Sequence, residues 1–492
     1  MQVNLPFDNT YARLPERFFA RVHPAKFPAP QLIKLNRELA ALLQLNVDWL
    51  ESDEGIGFLC GQTIVGGSDP IASAYAGHQF GNFVPQLGDG RAILLGEVLA
   101  RDGKRYDIQL KGAGRTPFSR GGDGRAAVGP VLREYIVSEF MAAVGIPTTR
   151  SLAALLTGEP VFRDNALPGA VLVRVASSHI RVGTFQFFAA RADIDGLKAL
   201  ADYVIARHYP EAAQAEQPYR GLLDGVISAQ AVLIAQWLLV GFIHGVMNTD
   251  NVSIAGDTID YGPCAFMDSY DPATVYSSID RMGRYAYGNQ AQIGLWNLTR
   301  FAETLLPLLS ADEKTAIATA EEALAGFGPQ FTQAHLEGTK RKLGIASSSD
   351  VDVATVTRIF TSMAENQVDY TLFFRRLGSA VRPGDGDQAI RSLFVDPTAG
   401  DAVLAIWRGL IAQDPRRPAE RRSAMDAVNP AYIPRNHRVE EALKAAAENQ
   451  DYGPFEELAL VLSRPFEPQP AFARYAEPPL EHERVRATFC GT

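Results

Sequence analysis

The most constraining stretch of the sequence is an uncharged apolar run that leads without a break into an acidic loop. Residues 226–243 read VISAQAVLIAQWLLVGFI, and 18 uncharged residues approach the length of a membrane span. The run also contains Ser228, Gln230 and Gln236, and it continues directly into HGVMNTDNVSIAGDTIDYG at residues 244–262. We therefore interpret it as the buried central helix of a globular lobe that leads into the acidic loop.

The acidic loop contains residues that are typical of a metal-binding site. A strand is expected at residues 252–254, followed by a turn at residues 256–257 and a second strand at residues 258–260. Asn251 and Asp260 carry hard oxygen ligands of the kind that Mg²⁺ prefers when it also binds substrate phosphates. The sequence therefore predicts a loop, strand, turn and strand that hold a divalent cation.

The spacing in this loop follows that of protein kinases with one exception. Kinases place an Asn seven residues after a His and continue to an Asp-Phe-Gly motif. Here Asn251 stands seven residues after His244, and residues 260–262 read Asp-Tyr-Gly. The position of the kinase catalytic base is Val246, whose side chain cannot accept a proton. The pattern therefore argues against an ordinary kinase mechanism.

Residues 76–129 have the order of elements that grips phosphates in a kinase small lobe. Residues 88–91, Gly-Asp-Gly-Arg, separate two apolar runs and predict a hairpin, because Asp-Gly is a strong turn signal. A strand expected at residues 106–111 ends in Lys111. The following loop, residues 112–129, is rich in glycine, whose freed backbone N–H groups can cradle anions. A surface loop without a ligand is the alternative.

Residues 130–144 begin with proline and have apolar residues at helical spacing, which predicts a helix. Glu134 on this helix can pair with Lys111, as in the Lys–Glu ion pair of kinases. Glu139 is a competing candidate, and a solvated helix face is the alternative for either carboxylate.

Two arginines are candidates for an anion clamp. Arg174 interrupts an apolar strand expected at residues 170–176, where an unpaired charge is costly to bury, and Arg181 follows seven residues later. Guanidinium groups bind phosphate in a bidentate manner, so the two side chains are suited to hold phosphates. A structural salt bridge is the alternative for each.

Helical spacing recurs towards both ends of the chain. Apolar residues recur at helical intervals in residues 31–45, 311–325 and 354–367, and each segment predicts a helix. From residue 311 onward the pattern is mostly helical. We therefore expect a long helical extension that packs on the preceding lobe.

Composition and charge narrow the class of protein. The 492 residues are 47% hydrophobic and 21% charged, which is typical of globular proteins. A net charge of −9 argues against a nucleic-acid partner, since a phosphate backbone needs a basic face. The first residues lack the apolar run of a signal peptide, so we expect a cytoplasmic protein without a membrane partner.

Five long motifs together make the sequence resemble the selenoprotein O family. They read YAGHQFGNFVPQLGDGRAILLGE, QLKGAGRTPFSRGGDGRA, REYIVSEFMAAVGIPTTRSLAAL, HGVMNTDNVSIAGDTIDYGPCAF and VNPAYIPRNH. The resemblance implies an α+β, protein-kinase-like fold of two lobes with a long helical C-terminal extension. It also implies metal-dependent transfer of AMP from ATP to Ser, Thr or Tyr hydroxyls of protein substrates, with release of pyrophosphate. Mg²⁺ or Mn²⁺ is the implied cofactor.

Three other activities stay open beside this one. Transfer of UMP from UTP is a variant of the same chemistry. The alternatives of another kind are a phosphoryl-transferring kinase and a catalytically silent nucleotide-binding pseudokinase.

The resemblance also implies roles for individual residues. Asp250 is the expected general base that takes the proton of the attacking hydroxyl, Asn251 and Asp260 bind the metal, and Glu134 supports Lys111. The residues expected to contact the nucleotide are Gly88, Gly90, Arg91, Lys111, Asp123, Gly124, Arg174, Arg181 and Asp260.

The expected organisation has four parts. They are an N-terminal extension (residues 1–75), a small nucleotide-binding lobe (76–183), a large lobe with the metal and catalytic loop (184–310) and the helical C-terminal extension (311–492).

The cysteines suggest one regulatory hypothesis. Three cysteines make neither a disulfide scaffold nor a zinc site. Because eukaryotic members of the family carry selenocysteine near the C-terminus, we hypothesise a regulatory disulfide between Cys490 and Cys264. An inert thiol is the alternative.

Overall fold

The computed structural model describes residues 5–346, 351–412 and 414–489. It is a mixed α+β protein with one large antiparallel sheet, many helices and a helical C-terminal region, as the sequence predicts. The strands are β1 (Phe19–Arg21), β2 (Gln31–Leu35), β3 (Ile71–Ser73), β4 (Gly77–Gln79), β5 (Asn82–Val84), β6 (Ala92–Leu99), β7 (Arg105–Lys111), β8 (Ala126–Ala127), β9 (Arg150–Phe162), β10 (Ala166–Ala176), β11 (Phe242–Ile243) and β12 (Ala265–Phe266).

Most of the remaining chain is helical. The α-helices are α1 (Arg37–Leu42), α2 (Val47–Leu50), α3 (Asp53–Leu59), α4 (Val128–Ala143), α5 (Val182–Ala189), α6 (Ile194–His208), α7 (Pro218–Leu239), α8 (Gln290–Leu309), α9 (Glu313–Ala325), α10 (Phe327–Lys342), α11 (Val353–Glu365), α12 (Tyr370–Leu377), α13 (Asp387–Arg391), α14 (Pro397–Ile411), α15 (Pro418–Asp426), α16 (Asn436–Asn449) and α17 (Gly453–Leu462). The helices predicted at residues 311–325 and 354–367 correspond to α9 and α11.

The large sheet places the predicted phosphate-binding side chains on one face. Its strand order is β1-β3-β6-β7-β10-β9-β2, with β8 paired to β10, and every pairing is antiparallel. Side chains alternate between the faces of a strand, so Lys111 and Gln109 share one face of β7. Arg174 of β10 lies opposite Gln109 and therefore joins them. Apolar neighbours such as Leu110 and Val173 point to the other face, in the core with helices α1 to α3.

Helix α4 covers the face that carries these charged side chains. Its buried residues include Val131, Leu132, Ile136 and Phe140, which share a core with apolar residues of the sheet and of the later helices. The helix predicted at residues 130–144 is therefore confirmed, although it begins at Val128. This position brings Glu134, which is buried, over the sheet.

Helix α7 contains most of the apolar run at residues 226–243. By length and composition it could cross a membrane, with a mean hydropathy of 1.6 over its most apolar window, of which 67% is buried inside the molecule. It packs against α8, α9 and α10, so the prediction of a buried helix is confirmed. The helix ends at Leu239 rather than at residue 243. A left-handed Gly241 (φ 73°) breaks it, and residues 242–243 form β11 instead.

Three local predictions are wrong. Residues 31–45 do not form one helix: residues 31–35 form β2 on the edge of the sheet, and α1 begins after Asn36, whose side chain accepts a hydrogen bond from the N–H of Leu39 (3.0 Å). Leucines at helical spacing also suit a strand followed by a helix, and the capping asparagine decides where the change occurs.

The residues before the Gly-Asp-Gly-Arg segment do not form a hairpin with β6. β5 pairs with β4 in a separate two-stranded sheet, and β6 pairs with β3 and β7. Asp89 is the physical reason, because it is buried and its carboxylate accepts hydrogen bonds from the N–H of Ser73 (3.0 Å) and from Gln109 (3.3 Å). The segment is therefore anchored to β3 and β7 rather than exposed as a turn.

The two short strands predicted in the acidic loop are single bridges. Residues 252–254 pair with residues 180–182 only at Ser253 and Arg181, and Thr258 pairs with Thr148 in parallel. Each segment pairs with its partner at a single residue, so no ladder of successive pairs forms. The predicted turn at residues 256–257 is present, with Gly256 in the left-handed region (φ 80°).

We predict that Lys342 lowers the stability of the fold in a pH-dependent way. Burial lowers the pKa of this lysine from 10.5 to about 7, and its ammonium lies 4.2 Å from the ring centroid of Phe374 without a carboxylate partner in the described chain. Because the folded-state pKa lies below the unfolded value, the destabilisation is complete below pH 7 and disappears as the pH rises through about 10.5.

Lys342→Met should therefore raise the free energy of unfolding by about 1 to 3 kcal/mol at pH 6 and by much less at pH 10. Urea unfolding at the two pH values measures this. Lys444→Met, at an exposed position of α16, is the control and should show no such difference. An equal effect of Lys342→Met at both pH values would contradict the assignment.

Candidate active site

The predicted Lys111–Glu134 ion pair is present. The ammonium of Lys111, at the end of β7, donates to the Glu134 carboxylate of α4, and both side chains are largely buried. The same ammonium also lies 3.3 Å from Oδ1 of Asp260. Glu139, the competing candidate, instead accepts hydrogen bonds from Arg150 (2.7 and 2.9 Å) and from the N–H of Ser151 (2.8 Å).

The two predicted clamp arginines converge on the same aspartate. Arg174 donates to Asp260 (2.7 Å), to Glu134 (3.3 Å) and to the amide oxygen of Gln109 (2.6 Å). Arg181, which directly precedes α5, donates to the other carboxylate oxygen of Asp260 (3.1 Å). Arg174 and Arg181 are both buried, so each satisfies the requirement that a buried charge be paired.

Asp260 is therefore the centre of a buried charge cluster. Three cations, Lys111, Arg174 and Arg181, face two carboxylates, Glu134 and Asp260. Burial alone raises the pKa of the Asp260 carboxyl, but the three cations hold it well below its ordinary value. The carboxylate is thus ionised at neutral pH, and the three cations beside it are of the kind that binds phosphate oxygens.

The backbone at Asp260 has an uncommon conformation. Its φ is 62°, in the left-handed region, where aspartate and asparagine are tolerated better than most residues. His244 holds the preceding residue: its Nε2–H donates to the carbonyl of Ile259 (2.9 Å), and burial lowers the pKa of this histidine, so the ring is neutral. The histidine of the kinase-like spacing is thus a structural residue that positions Asp260.

Asp250 has a very different environment. The hairpin of β4 and β5 lies over it: a Cβ atom on Gly77 would stand 2.6 Å from Oδ1 of Asp250, so only glycine fits there. Gln79 donates to Oδ2 (3.3 Å), whereas Oδ1 is buried without a hydrogen-bond partner in the described residues. Burial raises the pKa of Asp250 to about 6, while the nearby Arg181 lowers it in part.

The same hairpin is hydrogen-bonded to the two residues that precede Asp250. The N–H of His78 donates to the hydroxyl of Thr249 (2.7 Å), and the N–H of Phe80 donates to the amide oxygen of Asn248 (3.0 Å). No role in the site is predicted for these residues from the sequence. The signal that could have found them is the concentration of polar residues on both sides of Asp250, each of which needs a partner when buried.

The donor set of Asn251 and Asp260 fits a hard divalent cation. Asn251 donates its Nδ2–H to the carbonyl of Val246 (2.9 Å), which leaves the amide oxygen as the ligand atom. Asp260 is ionised, as a ligand must be. Within the described residues, no group of three or more His, Cys, Asp or Glu side chains forms a metal cage. Two oxygen ligands from the protein can suffice for a cation such as Mg²⁺ when substrate phosphates and water complete its coordination.

The other predicted nucleotide contacts lie in two glycine-rich loops that pack on each other. Phe118 lies against Gly88 and Gly90, and the N–H of Gly112 donates to the carbonyl of Arg91 (2.7 Å). These loops flank the end of β7, where Lys111 lies.

Asp123 and Gly124 are not part of the charge cluster. Asp123 pairs with Arg163 (2.7 Å) and caps the N–H of Arg125 (2.9 Å), while Gly124 accepts a backbone hydrogen bond from Gly114 (3.0 Å). They thus shape the loop that follows β7.

Comparisons with known proteins decide the family. A family model described as protein adenylyltransferase SelO matches residues 1–463. The chain belongs to the SelO family. Proteins named protein nucleotidyltransferase YdiU from Methylorubrum extorquens (strain PA1), Bradyrhizobium sp. (strain BTAi1) and Methylorubrum populi are 64%, 63% and 62% identical to it, and each match covers the whole of both chains.

Membership of the SelO family confirms the resemblance drawn from the motifs. The chain is a nucleotidyltransferase of the protein adenylyltransferase family, and the kinase and silent-pseudokinase alternatives are not favoured. Val246, at the place of the kinase base, is buried, and its carbonyl accepts hydrogen bonds from the side chain of Asn251 and from the N–H of Asn248.

The cysteine hypothesis involves a residue outside the described part of the chain. Cys264 is buried four residues after Asp260, and Cys490 lies beyond the described residues. A regulatory disulfide between them stays a prediction.

We predict that neutralising Asp250 and Asp260 changes stability in opposite directions. Asp260→Asn keeps a residue that tolerates the left-handed backbone but leaves three buried cations facing one carboxylate, which should cost roughly 2 to 4 kcal/mol. Asp250→Asn removes a carboxylate whose folded-state pKa is raised above its unfolded value, so it should stabilise the fold by about 1 to 2 kcal/mol at pH 8.

Urea unfolding at pH 8 in metal-free buffer measures both changes. The gain from Asp250→Asn should shrink as the pH falls from 6 towards 4, because the wild-type carboxyl is then protonated in the folded state. Destabilisation by both substitutions would contradict the contrast between the two environments.

Proposed function

We propose that the protein is a metal-dependent adenylyltransferase that moves AMP from ATP to Ser, Thr or Tyr hydroxyls of protein substrates and releases pyrophosphate. The observation that carries the proposal is the convergence of Lys111, Arg174 and Arg181 on Asp260, beside a second acid, Asp250, with a raised pKa. The family supports the same chemistry. UMP from UTP is a variant that the same phosphate contacts would accept.

The cationic side chains suit an attack on the α-phosphorus. In that reaction the leaving group is pyrophosphate, so negative charge builds on the two outer phosphates. Lys111, Arg174 and Arg181 together carry the positive charge that stabilises it, and the guanidinium groups of the two arginines can bind phosphate oxygens in pairs. Glu134 keeps Lys111 directed towards the cluster.

Asp250 is suited to take the proton of the attacking hydroxyl. A general base works best when its pKa lies near the working pH, and burial brings the pKa of Asp250 to about 6. Among the described residues its Oδ1 has no hydrogen-bond partner, so it has a free lone pair for the proton. Because Gly77 and Gln79 cover the carboxylate, the substrate hydroxyl reaches it once the β4–β5 hairpin is displaced.

Asn251 and Asp260 are the residues that would hold Mg²⁺ or Mn²⁺. When bound, the metal supplies further positive charge to the phosphates. In its absence Asp260 is neutralised by the three cations of the chain itself, so these side chains must share the carboxylate with the metal.

The fold supports a kinase-like arrangement of two lobes. In this proposal the antiparallel sheet with α4 belongs to the small lobe, and α5 to α8 with the loops of Asp250 and Asp260 belong to the large lobe. The boundaries at residues 75, 183 and 310 stay a prediction, and β1, β2 and β3, which precede residue 75, contribute strands to the same sheet. The loops that contain Gly88, Gly90, Arg91, Asp123 and Gly124 are then the part of the small lobe that lines the nucleotide.

The proposed partners are ATP and proteins with accessible hydroxyl groups. The net charge of −9 favours neither nucleic acid nor an anionic membrane as a partner. We place the protein in the cytoplasm.

The decisive experiment follows the α-phosphate and the γ-phosphate of ATP separately. The purified protein is incubated with Mg²⁺ or Mn²⁺ and ATP labelled at either the α- or the γ-phosphate, and self-modification is measured by label and by intact mass. We expect the α-label alone to be incorporated, as one AMP. Both Asp250→Asn and Asp260→Asn should lower the rate by about 100-fold or more, since each removes a group that acts at the reacting phosphate.

Two further measurements make the result specific. Glu139→Gln is the matched control, because this carboxylate lies on α4 beside Glu134 but contacts Arg150 instead of the cluster. Its rate should stay within about twofold of wild type. UTP in place of ATP tests the uridylyl variant, and transfer of the γ-label would overturn the proposal in favour of a kinase.

A further inference from the structure

The C-terminal part of the chain returns to the two elements that carry the charge cluster. Helices α16 and α17 pack against α4, and residues 435–436, at the start of α16, reach the segment that follows Asp260. These residues lie about 175 positions after Asp260, the last residue of the charge cluster. They have no role in the proposed transfer of AMP.

Phe266 of β12 is the point at which the active-site segments meet. Its ring packs edge-to-face on Phe140 of α4, with ring centroids 5.1 Å apart, and lies 5.3 Å from Phe242 of β11. α4 carries Glu134, β11 leads into the loop of Asp250, and β12 begins five residues after Asp260. The position of Phe266 therefore influences all three.

Asn436 holds the backbone of Phe266 at both of its polar groups. The Asn436 side chain donates to the carbonyl of Phe266 (2.9 Å) and accepts from its N–H (3.2 Å). Since β11 and β12 are only two residues long, this asparagine supplies hydrogen bonds that a third strand would otherwise make. Asn436 is buried, so the two bonds are shielded from water.

Arg435 fixes the next residues of the same segment. Its guanidinium is buried and binds Asp268 (2.7 Å) and Asp369 of the loop before α12 (2.7 Å). A buried arginine between two carboxylates tolerates little displacement, because moving either acid leaves a charge unpaired. The segment from Asp260 to Asp268 is thus held at its far end by the C-terminal extension.

The extension also contacts α4. Arg133, next to Glu134, forms an ion pair with Glu440 of α16. Val439 and Leu443, which precede and follow Glu440 on the same helix, are buried in the same core as α4, and Tyr135 packs edge-to-face on Phe455 of α17 at 5.5 Å. The extension therefore contacts α4 at both neighbours of Glu134.

We infer that the C-terminal extension is a built-in brace of the active site, and that Asn436, Arg435 and Glu440 are positioning residues. They contact neither substrate nor metal but hold the Asp260 segment and the Glu134 helix in register with the sheet. Kinases use a phosphorylated loop or a partner protein to order the corresponding parts. The inference rests on the proposed function, because it concerns the geometry of that metal and phosphate site.

The first test compares two buried asparagines of the same motif. Asn436→Ala removes both bonds to Phe266, whereas Asn429→Ala removes a bond to the carbonyl of Lys342 (2.9 Å) inside the extension. Both should lower thermal stability. Only Asn436→Ala should raise the Mg²⁺ concentration needed for half-maximal AMP transfer, by about three- to tenfold, at the lower end of what loss of an outer partner of a metal ligand costs. Excess Mg²⁺ should then recover most of the rate.

A merely structural role would reduce the active fraction of Asn436→Ala without moving the Mg²⁺ requirement. An unchanged requirement, or an equal change in both alanine variants, would overturn the inference. If wild type transfers no AMP at all, the proposed function fails instead. In that case the two variants are compared by their binding of Mg²⁺ together with the α,β-methylene analogue of ATP, which is measured as a rise in melting temperature. This comparison tests the inference without any transfer of AMP.

The second test uses substitutions that leave the core intact. Glu440 and Glu441 are neighbours on α16 with 42% and 44% of their side chains exposed, but Glu441 pairs with Arg438 of its own helix. Glu440→Gln should raise the ATP concentration for half-maximal rate by about two- to fivefold, the size expected from one partly exposed ion pair, and Glu441→Gln should not. Equal values for the two variants would show that the α16 contact does not position α4.

Discussion

The Asp260 carboxylate is the interaction on which the rest of the site depends. It is contacted by Lys111 at the end of β7, Arg174 in β10 and Arg181 before α5, so one anion ties together two strands and the start of a helix. Each cation alone in the interior would be costly, and their mutual repulsion would separate the elements. The same carboxylate is the proposed metal ligand. The arrangement of the fold and the proposed chemistry therefore rest on one charge.

Two acids ten residues apart acquire different properties from their surroundings. Asp260 faces three cations, which keep it ionised. Asp250 lies under an uncharged hairpin, where burial favours its protonated form. Sites that need both an electrostatic anchor and a proton acceptor commonly separate the pKa values of two carboxyl groups in this way. The sequence of the loop contains both acids, but only the packing around them assigns the two tasks.

The sequence predicts best what depends on local pattern. The helix of Glu134 and the strand of Lys111 follow from apolar spacing, and their ion pair follows from the kinase-like order of elements. The prediction of one helix at residues 31–45 is wrong because the leucine spacing suits a strand followed by a helix equally well. Only the pairing of β2 with β9 distinguishes the two structures. The hydrogen bond between His78 and Thr249, which holds the hairpin over Asp250, joins residues about 170 positions apart. The bonds of Asn436 to Phe266 span the same distance in sequence. No local pattern encodes such contacts, which arise from the packing of distant segments.

The hairpin over Asp250 also bears on which nucleophile the enzyme uses. Water is far more abundant than any protein hydroxyl, and an exposed base beside bound ATP would activate it and hydrolyse the nucleotide. Gly77 lies against one carboxylate oxygen and Gln79 binds the other, so only 7% of Asp250 is exposed to water. Under the proposed function, a protein substrate that displaces the hairpin would expose the base and occupy the opening at the same moment. The cover over Asp250 would then disfavour hydrolysis of the nucleotide, as closure around a substrate does in other transferases.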